Sequence, residues 1–267
     1  MSKINYGEIL FVGKCNFNCF YCLGHEMHPS VIEDTFNVHF SKWRYFEKWL
    51  NYLHSNNVKT MYLSSTNSEP LLYKYIDELI DYLQNDGFDV GIRTNGSLNV
   101  ECCNKCKEEI SLSLQSLNID TFYKITGVPL KFDFLENLSK IQSNNIRVSI
   151  VVNRYNYLEV EDMLNILKNY NLQYVQLRKC YKYYDEDIAP DIKAFEYVKE
   201  KLKAYKVKGN FHESIIYDVN NLPVSVWETV FEKSSISSSN YWTNGIITDN
   251  NLLVEGYNDE YYRVLSN

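Results

Sequence analysis

No apolar run in this chain is longer than a strand. The longest, Ile9-Leu10-Phe11-Val12 and Ile150-Val151-Val152, fall far short of the ~20 residues a membrane helix needs. An α-helical membrane span is thereby excluded. The opening residues, Met1-Ser2-Lys3-Ile4-Asn5-Tyr6, lack the apolar stretch of a secretory leader. A reducing cytoplasm is the expected compartment. Basic charge is also in short supply: 27 Lys and Arg stand against 34 Asp and Glu, a net charge of -7. A duplex nucleic acid usually demands a basic face, so that partner is not expected. A small phosphorylated substrate stays open. Cysteines number seven, an odd count that does not suit a disulfide framework.

The cysteines are unevenly spread, and that is the chain's most informative feature. Cys15, Cys19 and Cys22 fall within eight residues at the spacing Cys-x-x-x-Cys-x-x-Cys, and no fourth follows until Cys102. Three thiolates so close together converge on one object, most simply a metal. A [4Fe–4S] cluster normally takes four cysteines, so three would leave one iron open to a small molecule. Zinc is the alternative, with His25 or His28 completing a Cys3His set. On the cysteines alone both remain open, and a non-catalytic zinc- or iron–sulfur-binding structural protein remains open with them.

The rest of the chain supplies the context. Strands are expected at 7–12, 58–63, 88–93, 110–114, 146–152 and 174–178. Helical segments are expected at 41–55 (with Ser41 as N-cap), 71–83, 100–107, within 120–142, at 158–170 and at 192–205. Residues 24–40 read as a long loop. Six strand–helix units in strict alternation imply a parallel sheet with crossover helices. The strands are continuous apolar runs, as doubly covered parallel strands are. Six units are fewer than the eight of a closed barrel. The expected fold is therefore α/β, a partial (βα)6 TIM-like barrel spanning 1–206, with a C-terminal extension at 207–267 capping it. Within that extension Ser234–Ser239 reads as a flexible loop. Tyr241–Thr248 and Leu252–Gly256 read as short strands around a turn at Asp249-Asn250-Asn251. The 23 tyrosines reflect compositional drift.

In such a fold the loops after the strands share one face, where ligands bind. The cysteine loop follows the first strand, Glu69 the second, Thr94 and Asn95 the third. Ser113 and Gln115 end the fourth, Asn153 and Arg154 the fifth, Lys179 and Cys180 the sixth. Taken alone, Glu69 is an ordinary acid at a helix start, with Ser68 as cap and Pro70 behind it. Beside a metal loop on the same face it becomes a site residue.

With these positions in place the sequence resembles the radical S-adenosylmethionine (radical SAM) enzymes. The resemblance rests on Cys15-x-x-x-Cys19-x-Tyr21-Cys22 and on Ser68-Glu69-Pro70-Leu71-Leu72, similar to that family's Gly-Glu-Pro segment. Thr94-Asn95-Gly96 and Ser113-Leu114-Gln115 match it too, and it covers residues 7–180. It implies a [4Fe–4S] cluster on Cys15, Cys19 and Cys22, with SAM chelating the fourth iron through its methionine amino and carboxylate groups. It places Tyr21 near the adenine, the Ser68–Pro70 backbone at the methionine amino group, Asn95 in the cofactor site, and Ser113 and Asn153 at the carboxylate or ribose. Where the family carries glycines before the glutamate, this chain has Asn67 and Ser68. The implied reaction is reductive cleavage of SAM to a 5′-deoxyadenosyl radical that abstracts hydrogen from a small-molecule or metabolite substrate, or from a peptide or protein partner. A low-potential electron donor such as flavodoxin or ferredoxin is implied with it.

The remaining cysteines and charges have plainer expectations. Cys102, Cys103 and Cys106 sit on a returning helix and pack as small apolar groups, with a second cluster as the alternative. Cys180 packs or touches substrate. His25 and His28 are polar loop residues. Lys14, Arg178 and Lys179 are solvated charges, or meet an acidic electron donor.

Overall fold

The computed structural model describes residues 4–29, 32–181, 187–211, 214–228 and 237–249. All six expected strands form. They are β1 Ile4–Phe11, β2 Thr60–Ser65, β3 Asp89–Thr94, β4 Ile110–Ser113, β5 Ile146–Val152 and β6 Tyr174–Lys179. Each pairs in parallel with the next. Between them run α1 Phe46–Ser55, α2 Ile76–Asn85, α3 Ile119–Thr126, α4 Phe134–Ser139 and α5 Val160–Leu167, and α6 Ala189–Leu202 follows β6. Strands laid down in sequence order with right-handed crossovers send their helices to one face of the sheet. The core shows this. Ile9, Leu63, Ile92, Leu112, Ile150 and Leu177 from the strands form one apolar cluster with Trp49, Leu79, Leu138, Leu167 and Leu202 from the helices.

Side chains alternate along a strand, so the intervening residues line the other face. They are Glu8, Tyr62, Arg93, Ser111, Arg147 and Gln176, a polar set. A sheet with an apolar outside and a polar inside is the open partial barrel expected from the alternation.

Two helices begin later than their apolar period predicts. In place of a helix from Ser41, a 3-10 turn at Phe40–Lys42 capped by His39 precedes Tyr45, whose φ is 60°. That left-handed residue breaks the helix, and α1 starts at Phe46. The period runs on through Trp43 because Trp43 enters the same core. Likewise Pro70–Leu72 forms a 3-10 turn and α2 starts only at Ile76.

After α6 the sheet continues, where the sequence shows no further unit. β7 Lys206–Phe211, β8 Ser214–Val219 and β9 Leu222–Trp227 form an antiparallel meander whose last strand pairs in parallel with β6. The turn from β8 to β9 uses Asn220 and Asn221, both with positive φ, the pair of left-handed residues that a tight hairpin requires. At the other edge β10 Ser237–Trp242 pairs in parallel with β1, and β11 Ile247–Thr248 returns against β10. Ser237–Ser239 therefore belong to a strand rather than a loop. The single strand expected over Tyr241–Thr248 is two, separated by a turn at Gly245, whose φ is 97°. Residues 234–236 and 250–256, which complete the loop, turn and strand expected there, lie outside the described residues. Among those described, eleven strands make one sheet.

Serines serve in β10 because a parallel edge is held by its backbone. Ser239 is buried and accepts a hydrogen bond from Trp49 Nε1 at 2.9 Å, so a large α1 side chain fills the space a small strand residue leaves. Among the described residues no helix is long and apolar enough to cross a membrane.

Candidate metal and cofactor site

The cysteine loop leaves β1 and is fastened at several points. Phe17 packs edge-on against Phe122 of α3 at 5.3 Å. The backbone N–H groups of Asn18 and Phe20 donate to the carbonyls of Thr126 and Ile125 at the end of α3. Gly24 lies against the loop after β2 so closely that a Cβ there would stand 2.5 Å from Asn67 Cα and from the Thr66 carbonyl. The two loops meet without room for a side chain. Cys22 Sγ donates to that Thr66 carbonyl at 3.8 Å.

Glu69 joins three strand ends. It is 2% exposed, and its N–H donates to the Lys14 carbonyl beside the cysteine loop. Its Oε1 accepts from Leu71 N at 3.1 Å and from Thr94 Oγ1 at 2.5 Å; its Oε2 accepts from Asn95 N at 2.8 Å. Burial pushes its pKa up to about 7, while these three donors pull it down. The carboxylate is the cap of the Pro70–Leu72 turn and a brace to β3 at once. Glu69→Gln turns one acceptor into an NH2 group with three donors around it. We expect it to lower unfolding free energy by roughly 1–3 kcal/mol, the cost of leaving buried donors unmet. Urea denaturation checks this; a change within about 0.5 kcal/mol, the range of an ordinary surface substitution, would refute the bracing role.

Asn95 carries the connection on to the cysteines. Its Nδ2 donates to Asn16 Oδ1 at 2.8 Å and reaches Cys15 Sγ at 3.9 Å. Its Oδ1 accepts from Ser97 Oγ at 2.6 Å, and Ser97 Oγ accepts from Asn16 Nδ2 at 2.7 Å. Cys15 Sγ accepts a second N–H, from Phe17, at 3.4 Å. Ser68 does a different job: its Oγ donates to the Phe11 carbonyl at 2.9 Å and its N–H to Ser65 Oγ, so it shapes the loop after β2.

The other expected residues divide. Tyr21 is partly buried and turns toward Gln115 and Cys180, and burial raises its pKa well above the usual tyrosine value. Ser113 ends β4 on the inner face, beside Ser149 of β5. Asn153 is fully buried in the turn after β5. Its Nδ2 donates to the Val151 carbonyl and its Oδ1 accepts from Tyr155 N. Arg154 is tied to Asp191 at 2.7 Å and to Asp187. Tyr241 faces the helix side, 5.2 Å from both Phe46 and Trp49. His25 is exposed. Cys102, Cys103 and Cys106 are buried in the helix-side core, as expected of apolar packing. No motif in the sequence points to the inner-face arginines Arg93 and Arg147. Their signal was a charged residue at alternate positions inside an apolar strand.

Three neighbouring thiols with N–H donors aimed at Cys15 are a donor set suited to iron–sulfur ligation, in which hydrogen bonds to sulfur tune the metal. All three thiols have raised pKa values, Cys15 to about 11, and burial is the largest cause for each. They influence one another electrostatically, yet among the described residues no three His, Cys, Asp or Glu side chains stand close enough to hold a metal ion. Metal binding displaces such protons, because a cysteine ligates as its thiolate.

Residues 9–177 match the family model described as the Radical SAM superfamily. Among curated proteins, the chain is 28% identical over 198 residues to a GTP 3′,8-cyclase of Clostridium botulinum, covering 67% of this chain and 60% of that one. It is 27% identical over 179 residues to a probable GTP 3′,8-cyclase of Saccharolobus solfataricus, covering 64% and 55%. The chain thus spans about 60% of the length of the first of these relatives. Its fold is that of Streptococcus suis SuiB bound to S-adenosylmethionine, with a TM-score of 0.64 at 16% identity over 93% of this chain and 60% of that one. SuiB bound to its precursor peptide SuiA gives 0.62 at 16% identity over 100% and 68%. The three-thiol loop, the buried glutamate after β2 and the match across β1 to β6 have one origin: the chain belongs to the radical SAM superfamily, whose cofactors are a [4Fe–4S] cluster and S-adenosylmethionine.

Proposed function

We propose that this protein is an enzyme that cleaves SAM reductively and abstracts hydrogen from a small-molecule or metabolite substrate. The observation that carries the proposal is the junction of the three-thiol loop with the Glu69 and Asn95 network, because it gathers the ends of β1, β2 and β3 on one face. Cys15, Cys19 and Cys22 would hold the cluster. When bound, cluster and SAM supply a 5′-deoxyadenosyl radical. Ser68, Glu69 and Pro70 would present backbone groups to the methionine amino group, with Asn95 beside them. Tyr21 would lie at the adenine, and Ser113 and Asn153 would form the polar rim toward the carboxylate or ribose. Leu10, Val12, Met27, Trp242 and Ile246 form an apolar cluster near the mouth, and such a cluster excludes water.

Residues 1–206 would form the catalytic core and 207–267 the extension that completes it. The free thiols suit a reducing cytoplasm, with flavodoxin or ferredoxin as electron donor. A small substrate is supported by the curated relatives named for a nucleotide. The fold shared with peptide-bound SuiB supports a second reading, in which the substrate is a peptide or protein. Anaerobic reconstitution tests the proposal. We expect about four irons and four sulfides per chain, and 5′-deoxyadenosine from SAM with dithionite. One zinc and no sulfide would overturn it. GTP and a peptide library, supplied as substrates, separate the two readings by which one consumes SAM stoichiometrically.

A further inference from the structure

The inner face of the sheet carries three arginines, and only two have carboxylate partners among the described residues. Arg93 of β3 pairs with Glu8 of β1. Arg147 of β5 pairs with Glu109 at 2.8 Å and also donates to Gln176. Arg178 of β6 makes no ion pair and no hydrogen bond with any described residue. Its orientation follows from its neighbours. Val175 and Leu177 enter the helix-side core, so Gln176 and Arg178 point the other way. Arg178 lies within electrostatic reach of Arg93, Arg147, Tyr21 and Tyr174. It is therefore inside the barrel, on the side where the cysteine loop crosses. It keeps some exposure, but protein surrounds it closely enough that burial is the main cause lowering its pKa to about 10.

Further polar atoms on the same face lack partners among the described residues. Ser225 of β9 is 1% exposed, pairs in register with Gln176, and has no hydrogen bond to its Oγ. Trp242 of β10 is fully buried with its Nε1 unmet. Ser113, Ser149, Gln176 and Ser225 follow one another across β4, β5, β6 and β9, one row below Arg178 and its register partner Trp227. A confined guanidinium without a counter-charge, beside unmet donors, weakens a fold unless something binds there. Guanidinium forks match carboxylate and phosphate oxygens.

We propose that Arg178 anchors an anionic group of the substrate, a phosphate or a carboxylate, on the inner face of the barrel, with Ser225 as a further donor. This rests on the enzymatic reading above and narrows its substrate class to anions. The row of serines beneath Arg178 would seat the rest of the molecule within reach of the cysteine-loop face.

The test is calorimetric titration of the reconstituted protein with pyrophosphate and with succinate, at low salt, with and without saturating SAM. We expect one of the two to bind at one site per chain. Preference for pyrophosphate assigns the group as a phosphate, preference for succinate as a carboxylate. Arg178→Gln is expected to weaken that binding at least tenfold, and Arg178→Lys to restore part of it. Binding is expected to persist with SAM present. Arg178→Gln is also expected to unfold at the same or a higher urea concentration, since it removes an uncompensated charge. Four results would overturn the proposal: no saturable binding of either anion, equal binding by Arg178→Gln, displacement of the anion by SAM, or marked destabilisation of Arg178→Gln. The titration also runs on the protein as purified. A failure to assemble a cluster would therefore remove the proposed function while leaving the anion site measurable.

Discussion

Cys19→Ala is expected to leave the protein folded but nearly devoid of iron, and to lower 5′-deoxyadenosine formation more than ~100-fold. Loss of an outer-shell partner alone typically costs 10–100-fold in metal affinity or activity, and here a proposed ligand itself is removed. The middle cysteine is the informative one to change. Its thiol feels both Cys15 and Cys22, whereas Cys15 is also held by Asn95 and Phe17. Iron and sulfide content, the cluster's visible absorption and 5′-deoxyadenosine after dithionite are the measurements. Cys106→Ala is the contrasting variant. Cys106 lies in the core with Val100 and Ile110, so the full iron content should survive its loss. Iron that persisted in Cys19→Ala and fell in Cys106→Ala would move the cluster to the second group of cysteines and refute the assignment.

Trp49→Ala is expected to cost roughly 3–5 kcal/mol of stability, as the truncation of a large buried aromatic does. Against the 5–15 kcal/mol typical of a whole domain, that is the largest single-residue effect on folding expected here. Trp49 is fully buried. It stacks on Phe46 within α1, meets Tyr241 of β10 at 5.2 Å, and donates to Ser239 of the same strand. Its loss removes the contact by which α1 clamps β10 against β1. Trp49→Phe separates the parts: packing is largely kept, the bond to Ser239 is lost, and the expected cost falls to about 1–2 kcal/mol. Anaerobic urea denaturation measures both. Equal costs for the two variants would mean that the hydrogen bond, and not the ring, holds β10.

How far the sequence could be read depended on which force held each element. β1 to β6 each turn apolar residues at alternate positions toward the helix-side core, and all six were visible. The cysteine spacing and Glu69 were visible because their chemistry is carried by residue identity. β7 to β10 were not. Lys206–Phe211 carries two lysines, a glycine and an asparagine, and Ser237–Ser239 look like a linker. Both are strands because the sheet edge offers them backbone partners, a tertiary cause that composition does not record. α1 starts later than its apolar spacing predicts, since Trp43 keeps the helical spacing while Tyr45 breaks the helix. Asn220-Asn221 is a local signal of this region, a turn pair that marks the β8–β9 hairpin. The inner-face arginines stayed hidden for a related reason. Arg178 looks like any strand-end cation until the register shows what lies across from it.

The pairing of β10 with β1 has a consequence for how the molecule is made. Val12 donates to Thr243 Oγ1 across 231 positions of chain, and contacts of such sequence separation form slowly. On the ribosome the first strand emerges early, yet its outer edge has no neighbour until the serine-rich strand has been synthesised. Throughout that interval the cysteine loop hangs from a strand bonded on one side only. Full anchoring of the strand that carries the cysteine loop therefore depends on β10 as much as on β2, a partner far away in the chain.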